Sequence, residues 1–192
     1  MAPATRQLAA TRLVVRNILE FAAIFALWWA LLAAVERKLL EPGGLIATIL
    51  AVAWIKTAFF GIENIRQLRQ ASNENIAYHK FMLLMVVNMW QIAASFALDF
   101  HLLYRLAPDS FATVRDDLAG ASLVFEFFYY SGLNLMFFGY GDITPQTVPA
   151  KLLTLTEITL AFVTVIFLLS DFISLKESIR RGPGDQDVKD LK

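Results

Sequence analysis

Apolar residues along this chain gather into long blocks rather than into narrow amphipathic stripes. The first block runs from about Leu13 to Val35, and its stretch 21–35 carries no charge before Glu36. The second runs from Leu45 to Ile62 and is broken by Lys56. The third runs from Phe81 to Leu103, with Asn88, Gln91 and Asp99 inside it, and the last from Pro149 to Ile173. Each holds roughly 18–25 residues, enough to cross about 30 Å of hydrocarbon at about 1.5 Å per residue. Helices that are apolar on every face do not make a solvated surface, which disfavours a soluble bundle. The pattern predicts an all-α integral membrane protein with four transmembrane helices.

A fifth apolar segment lies between the third and fourth blocks, from about Ala119 to Phe138, and leads into Gly139-Tyr140-Gly141-Asp142. It is too short, and too soon followed by Gly and Pro, to be another span. Irregular backbone at membrane depth is tolerated only where it is buried in protein or lines a water-filled path. The segment is therefore expected to be re-entrant: half a helix in and an extended stretch back out. Three regions follow, with residues 1–78 as a two-helix membrane segment and linker, 79–176 as a second membrane module, and 177–192 as a flexible polar tail. The N-terminal Arg6, Arg12 and Arg16 before an apolar run resemble a signal peptide. The run is long, carries Glu20 and lacks a small-residue cleavage site, so it is expected to stay as a helix.

Composition narrows the chemistry. Of 192 residues, 57% are hydrophobic and 18% charged, against about 25% charged in ordinary soluble domains. Cysteine is absent, which excludes a disulfide framework, a thiolate metal site and a cysteine nucleophile. Lys plus Arg is 17 and Asp plus Glu is 17, so there is no basic excess for nucleic acid. His79 and His101 sit about 33 Å apart on one span, too far to share a haem or metal. No phosphate-binding glycine loop and no Ser-His-Asp grouping stands out. The chain is expected to be no enzyme and to need no cofactor. No span repeats Arg every third residue, so a voltage sensor is not supported.

The zero net charge is a sum of unlike parts. Arg6, Arg12, Arg16, Arg66, Arg69, Lys80, Lys176, Arg180, Arg181, Lys189 and Lys192 fall on one side of the spans. Arg37, Lys38, Arg105 and Arg115 fall on the other. Basic loops stay inside, so both termini are expected to be cytoplasmic and the re-entrant segment to enter from outside. Charges inside spans need partners. Glu20 and Lys56 lie at similar depth if the first two spans are antiparallel neighbours, and they are expected to form a buried ion pair. Asp99 and His101 are expected to reach the interface.

Residues 129–145 read YYSGLNLMFFGYGDITP. This resembles the pore loop of the potassium-channel family, in which an aromatic-rich pore helix precedes Thr-Val-Gly-Tyr-Gly-Asp. Gly139, Tyr140, Gly141 and Asp142 match the second half of that filter, and Ile143-Thr144-Pro145 matches a common continuation. Tyr129 and Tyr130 fall where an aromatic cuff braces the filter. Lys151-Leu152-Leu153 and Glu157 resemble the start of the inner helix in small bacterial members. The resemblance covers about Phe81 to Ile173. It implies an ion-conduction filter of Phe137, Phe138, Gly139, Tyr140, Gly141 and Asp142, with Tyr129, Tyr130, Glu126 and Glu157 as its support. It also implies a homotetramer in a lipid bilayer, a bacterial inner or plasma membrane, and K+ or another monovalent cation as the permeating species.

The physics of such a filter is carbonyl oxygens in place of an ion's water shell. Gly139 and Gly141 are expected to supply the positive φ that turns successive carbonyls to one axis. Asp142 would raise the local cation concentration at the mouth. The sequence departs from the family at Phe137-Phe138, where Thr-Val is usual. Four Phe137 rings offer no oxygen ligand and are expected to form an apolar constriction, which gates by dewetting. Phe138 would need extra room behind the filter, for which Gly132 is placed. A second reading keeps the fold but closes the pore, making the chain a structural or accessory subunit beside an unidentified membrane or cytoplasmic partner.

Overall fold

The computed structural model describes the backbone of residues 3–74, 78–115, 117–139 and 141–180. It describes the side chains of Arg16, residues 18–66 and most positions from 83 to 169. Five α-helices occur among the described residues: α1 (Pro3–Glu36), α2 (Pro42–Glu74), α3 (Tyr78–Leu106), α4 (Ala121–Leu135) and α5 (Val148–Arg180). Four contain membrane-length apolar stretches, Ile18–Glu36, Pro42–Arg66, Met85–Leu106 and Val148–Phe167. The protein is an all-α integral membrane protein, and its helices overrun the apolar blocks. In α2 the helix continues past Ile62 through Glu63, Arg66, Gln67 and Arg69, residue types that favour helix wherever water can solvate them.

α1 ends for a local reason. Lys38 takes a left-handed φ of 49°. Lys38 N–H then bonds the Val35 carbonyl, and Leu39 N–H the Ala34 carbonyl, the paired Schellman bonds that cap a helix C-terminus. Pro42 opens α2, where its missing N–H costs nothing. The 37–41 turn, the start of α4 and the start of α5 then lie at one end of the bundle, the loop end.

The centre of the bundle is α3, against which α1, α2, α4 and α5 all pack, while α2 also runs along α5. α1 is peripheral. Ile18, Leu19, Phe25 and Trp29 on it are exposed and face the surrounding hydrocarbon. Trp54 and Trp90 are also largely exposed, so packing within the chain is not their main use, although Trp90 stacks on Phe128 at 5.5 Å.

The central position of α3 decides which charges meet. Asn88, Gln91, Ser95 and Asp99 recur at three- and four-residue spacing, which places them on one helix face, and all four are buried. Gln91 Nε2 donates to Glu20 at 3.3 Å. Lys56 Nζ lies 2.7 Å from Oδ1 and 2.6 Å from Oδ2 of Asp99. The expected Glu20–Lys56 pair is therefore not formed. Glu20 pairs instead with Arg16 at 3.5 Å, while Arg16 also meets Glu63 at 2.6 Å. Neighbourhood decides the partners: α3 packs on both helices and offers Gln91 to Glu20 and Asp99 to Lys56, while Arg16 links Glu20 to Glu63 of α2. Asp99 and His101 are likewise buried rather than interfacial, and the His101 ring packs on Trp28 at 5.7 Å.

Between α3 and α5 the chain makes a closed excursion. A 3-10 turn at Pro108–Ser110 leads into β1 (Phe111–Ala112), which pairs antiparallel with β2 (Thr144–Pro145). Phe111 lies opposite Pro145 and Ala112 opposite Thr144, and Gln146 N–H extends the pairing to the Ser110 carbonyl at 2.8 Å. This two-residue clasp was not foreseen in the all-α reading. It ties the approach to α4 to the exit from the loop.

Candidate functional site

α4 enters from the loop end and runs about 22 Å, and the chain returns through residues 136–147 to α5 at the same end. This is the re-entrant geometry expected from sequence. Leu123, Phe127, Tyr130, Ser131 and Asn134 are buried, and their spacing makes one face turned to α3 and α5. Phe125, Tyr129, Met136 and Phe138 lie open on the other side.

The buried face is fixed by aromatics and by one carboxyl group. Tyr130 meets Phe100 edge-on at 5.0 Å, and Phe111 touches Phe100, Phe127 and Tyr130. Thr154 donates to the Ala150 carbonyl at 2.9 Å, leaving its oxygen to accept from the Tyr130 hydroxyl at 3.0 Å. Glu157 of α5 is fully buried. Its carboxyl meets the Ser131 hydroxyl and accepts from Asn134 Nδ2 at 2.9 Å. Ser131 also reaches the Ala93 carbonyl of α3 at 2.9 Å. Glu157 thus joins α5 to the last turn of α4 and, through Ser131, to α3.

Of the four expected supports, Tyr130 and Glu157 lie behind the loop, the Tyr130 ring next to Gly141 and the Glu157 carboxyl on Ser131 and Asn134 of α4. Tyr129 is exposed and turned out of the chain. Glu126 is half-buried and meets no hydrogen-bond partner among the described residues, because its place on the first half of α4 keeps it away from the loop. Ser131, Asn134, Thr154 and Phe111 were missed from sequence. Ser131 and Asn134 were signalled only by the three- and four-residue spacing along α4 of 127, 130, 131 and 134, and no such pattern marks Thr154 on α5 or Phe111 on β1.

The loop begins with a helix cap. Phe137 has φ 57°, its N–H bonds the Asn134 carbonyl at 3.1 Å, and Phe138 N–H bonds the Leu133 carbonyl at 3.0 Å. This is the Schellman pattern again, with a phenylalanine in the left-handed position. A bulky residue there costs about 1–2 kcal/mol. Gly139 also takes a left-handed φ of 60°. Gly141 does not, so the expectation of positive φ at both glycines is corrected: the turn demanded by the end of α4 falls on Phe137. What limits Gly141 is space, since a Cβ there would meet Leu133 Cδ1 at 3.3 Å and a Tyr130 ring carbon at 3.6 Å.

Met136, Phe137, Phe138 and Gly139 are all exposed in the single chain, as is Asp142 near the loop end, while Ile143 is buried. Phe138 does not pack behind the loop, so it needs no room from Gly132. The Phe137 ring turns toward α5 and meets Phe162 edge-on at 6.2 Å and 83°. Tyr140 lies outside the described residues. The segment thus presents backbone and apolar rings on one open face, braced from behind by Tyr130, Leu133 and Glu157. Among the described residues no group of His, Cys, Asp and Glu is arranged to hold a metal.

The ion channel family matches residues 82–177, half of the chain. That range takes in nearly all of α3, the whole re-entrant segment and most of α5, and leaves α1 and α2 outside. No curated protein and no solved structure matches the chain.

Proposed function

The chain belongs to the potassium-channel-like pore-loop family of ion channels, and from that premise we propose that it conducts a monovalent cation, K+ first, through a ring of four copies. α4 is then the pore helix, 137–142 the filter and α5 the inner helix. The observation that carries the reading is the open face of Met136–Gly139 and Asp142 at a loop braced only from behind. One chain supplies one wall, and closing a pore around that face requires a symmetric ring. Filter carbonyls would replace the ion's water shell, Asp142 would concentrate cations at the outer mouth, and Phe137 would narrow the inner end. The basic side of the bundle, with both termini, is assigned to the cytoplasm.

The test is subunit count in native-like lipid together with potassium uptake into liposomes. Four subunits, with uptake altered by Gly139→Ala and Asp142→Asn, support the reading; no ring and no flux of any monovalent cation defeat it. The exposed Phe137 and Phe138 rings favour a second reading, a closed pore in a structural or accessory subunit. Stable co-purification with foreign membrane subunits, without flux, would select it.

A further inference from the structure

α1 and α2 lie outside the matched ion-channel range, yet α2 makes buried polar contact with α5 at one level. Asn88 Nδ2 of α3 donates to Asn64 Oδ1, and Asn64 Nδ2 of α2 donates to Thr164 Oγ1 of α5 at 2.8 Å. Thr164 passes its own hydrogen to the Leu160 carbonyl at 2.8 Å. All three side chains are at most 3% exposed, so no water replaces a bond that opens. Nearer the loop end, Trp54 Nε1 of α2 reaches Thr156 Oγ1 of α5 at 3.3 Å.

Thr164 lies two residues from Phe162, about 200° around the helix at 100° per residue. Phe162 accordingly points the other way, more than half exposed, and covers the Phe137 ring at the inner end of the loop. No glycine interrupts α5 between Val148 and Arg180, so this stretch turns as one body. A rotation that withdraws Phe162 from Phe137 must also pull Thr164 off Asn64.

We infer that α2 is a regulatory element of the pore: Asn64 of α2, bonded to Thr164, holds α5 in the orientation that presses Phe162 against Phe137 and seals the inner end of the filter. Asn64 and Thr164 are positioning residues, acting through the two rings. The direction of regulation rests on the conduction reading above; the mechanical link does not.

The chain has no cysteine, so the link can be read directly. A Phe137→Cys/Phe162→Cys protein is treated with a short bifunctional thiol reagent and the intrachain crosslink measured. Adding Thr164→Val, which keeps the shape and removes the hydroxyl, is expected to shift the ratio of withdrawn to sealed α5 about fivefold, the equivalent of roughly 1 kcal/mol for one hydrogen bond, and so to slow the crosslink. Thr164→Ser is expected to restore it, and Thr164→Ala serves if the valine variant does not fold. In the native-ring background Thr164→Val is expected to raise potassium flux about fivefold and to add nothing once Phe162→Ala is present. A crosslinking rate indifferent to Thr164→Val overturns the inference even if flux is robust. A falling rate without flux in any variant upholds the link and defeats conduction instead.

Discussion

Lys56 and Asp99 provide the sharpest energetic test of how this bundle is held. The ammonium sits 2.6–2.7 Å from both carboxylate oxygens, and the side chains are 13% and 3% exposed. At an effective dielectric near 20, charges about 3 Å apart attract by roughly 5–6 kcal/mol. The loss of hydration offsets most of that, so the intact pair contributes little net stability. Removing one partner is different, because the other charge stays buried and alone. Asp99→Asn or Lys56→Met is therefore expected to cost about 3–5 kcal/mol, or about 6–20 °C in Tm at about 2–4 °C per kcal/mol for chains of this size. The double variant is expected to recover most of the loss. Glu20→Gln removes a partner from Arg16, whose side chain is 33% exposed, and is expected to cost no more than about 1 kcal/mol. The assay is thermal unfolding in one detergent, followed by intrinsic tryptophan fluorescence, to which Trp28 beside His101 is one of four contributors. A double variant as unstable as the singles, or Glu20→Gln as damaging as Asp99→Asn, would refute the reasoning.

Glu157→Ala leaves the buried Asn134 amide without its acceptor, while Ser131 keeps the Ala93 carbonyl, and is expected to destabilise by about 1–3 kcal/mol for the orphaned group. Glu157→Gln is expected to be mild, because its N–H can serve Ser131, which has one hydrogen for two acceptors; equal damage in thermal unfolding would contradict the bonding described. Gly139→Ala is expected to cost about 1–2 kcal/mol from its left-handed φ. Gly141→Ala crowds the movable tip of Leu133 and meets the Tyr130 ring only at ordinary contact distance, and is expected to cost less, a ranking that paired unfolding measurements can reverse. In the loop before α4, hydrogen bonding from Arg115 holds the Asp117 carboxyl below its usual range. A lowered carboxylate favours the folded loop above its ordinary pKa and loses that help as pH falls. Both groups are fully solvated, so Arg115→Ala is expected to leave the acid midpoint of unfolding essentially unchanged, and a large shift would show a buried role.

Blocks of apolar residues were enough to place the four spans and the re-entrant turn, because lipid forces every backbone group in a span into its own helix. The edges were less legible. Glu63 to Glu74 carry no apolar block and still extend α2, since helix propensity outlasts the hydrocarbon. Partner choice was not legible at all. Depth arithmetic matched Glu20 to Lys56 but could not say that α3 packs on both helices and offers Gln91 to one and Asp99 to the other, or that Arg16 links Glu20 to Glu63. The polar stripe of Asn88, Gln91, Ser95 and Asp99 was present in the sequence, and its spacing named the face that other helices must satisfy. In the loop, the filter-like residues marked the right segment. The left-handed turn at Phe137 was hidden because a helix-ending cap selects a position two residues past Leu135, whatever residue stands there.

The β1–β2 clasp sets an order of assembly. Thirty-four positions separate Phe111 from Pro145, and their pairing closes the excursion that contains α4. The amides of Met136, Phe137 and Phe138 are held by the last turn of α4, but the backbone between Phe138 and β2 belongs to no helix, and exposing it to lipid alone would cost several kcal/mol for each unpaired group. A nascent chain halted before Pro145 has no second strand, no Thr154 for Tyr130 and no Glu157 for Ser131. During synthesis α4 must therefore wait at the membrane surface until the start of α5 emerges. Truncations ending between Leu135 and Thr144 should leave it accessible from the loop side, while chains reaching Leu160 should shield it.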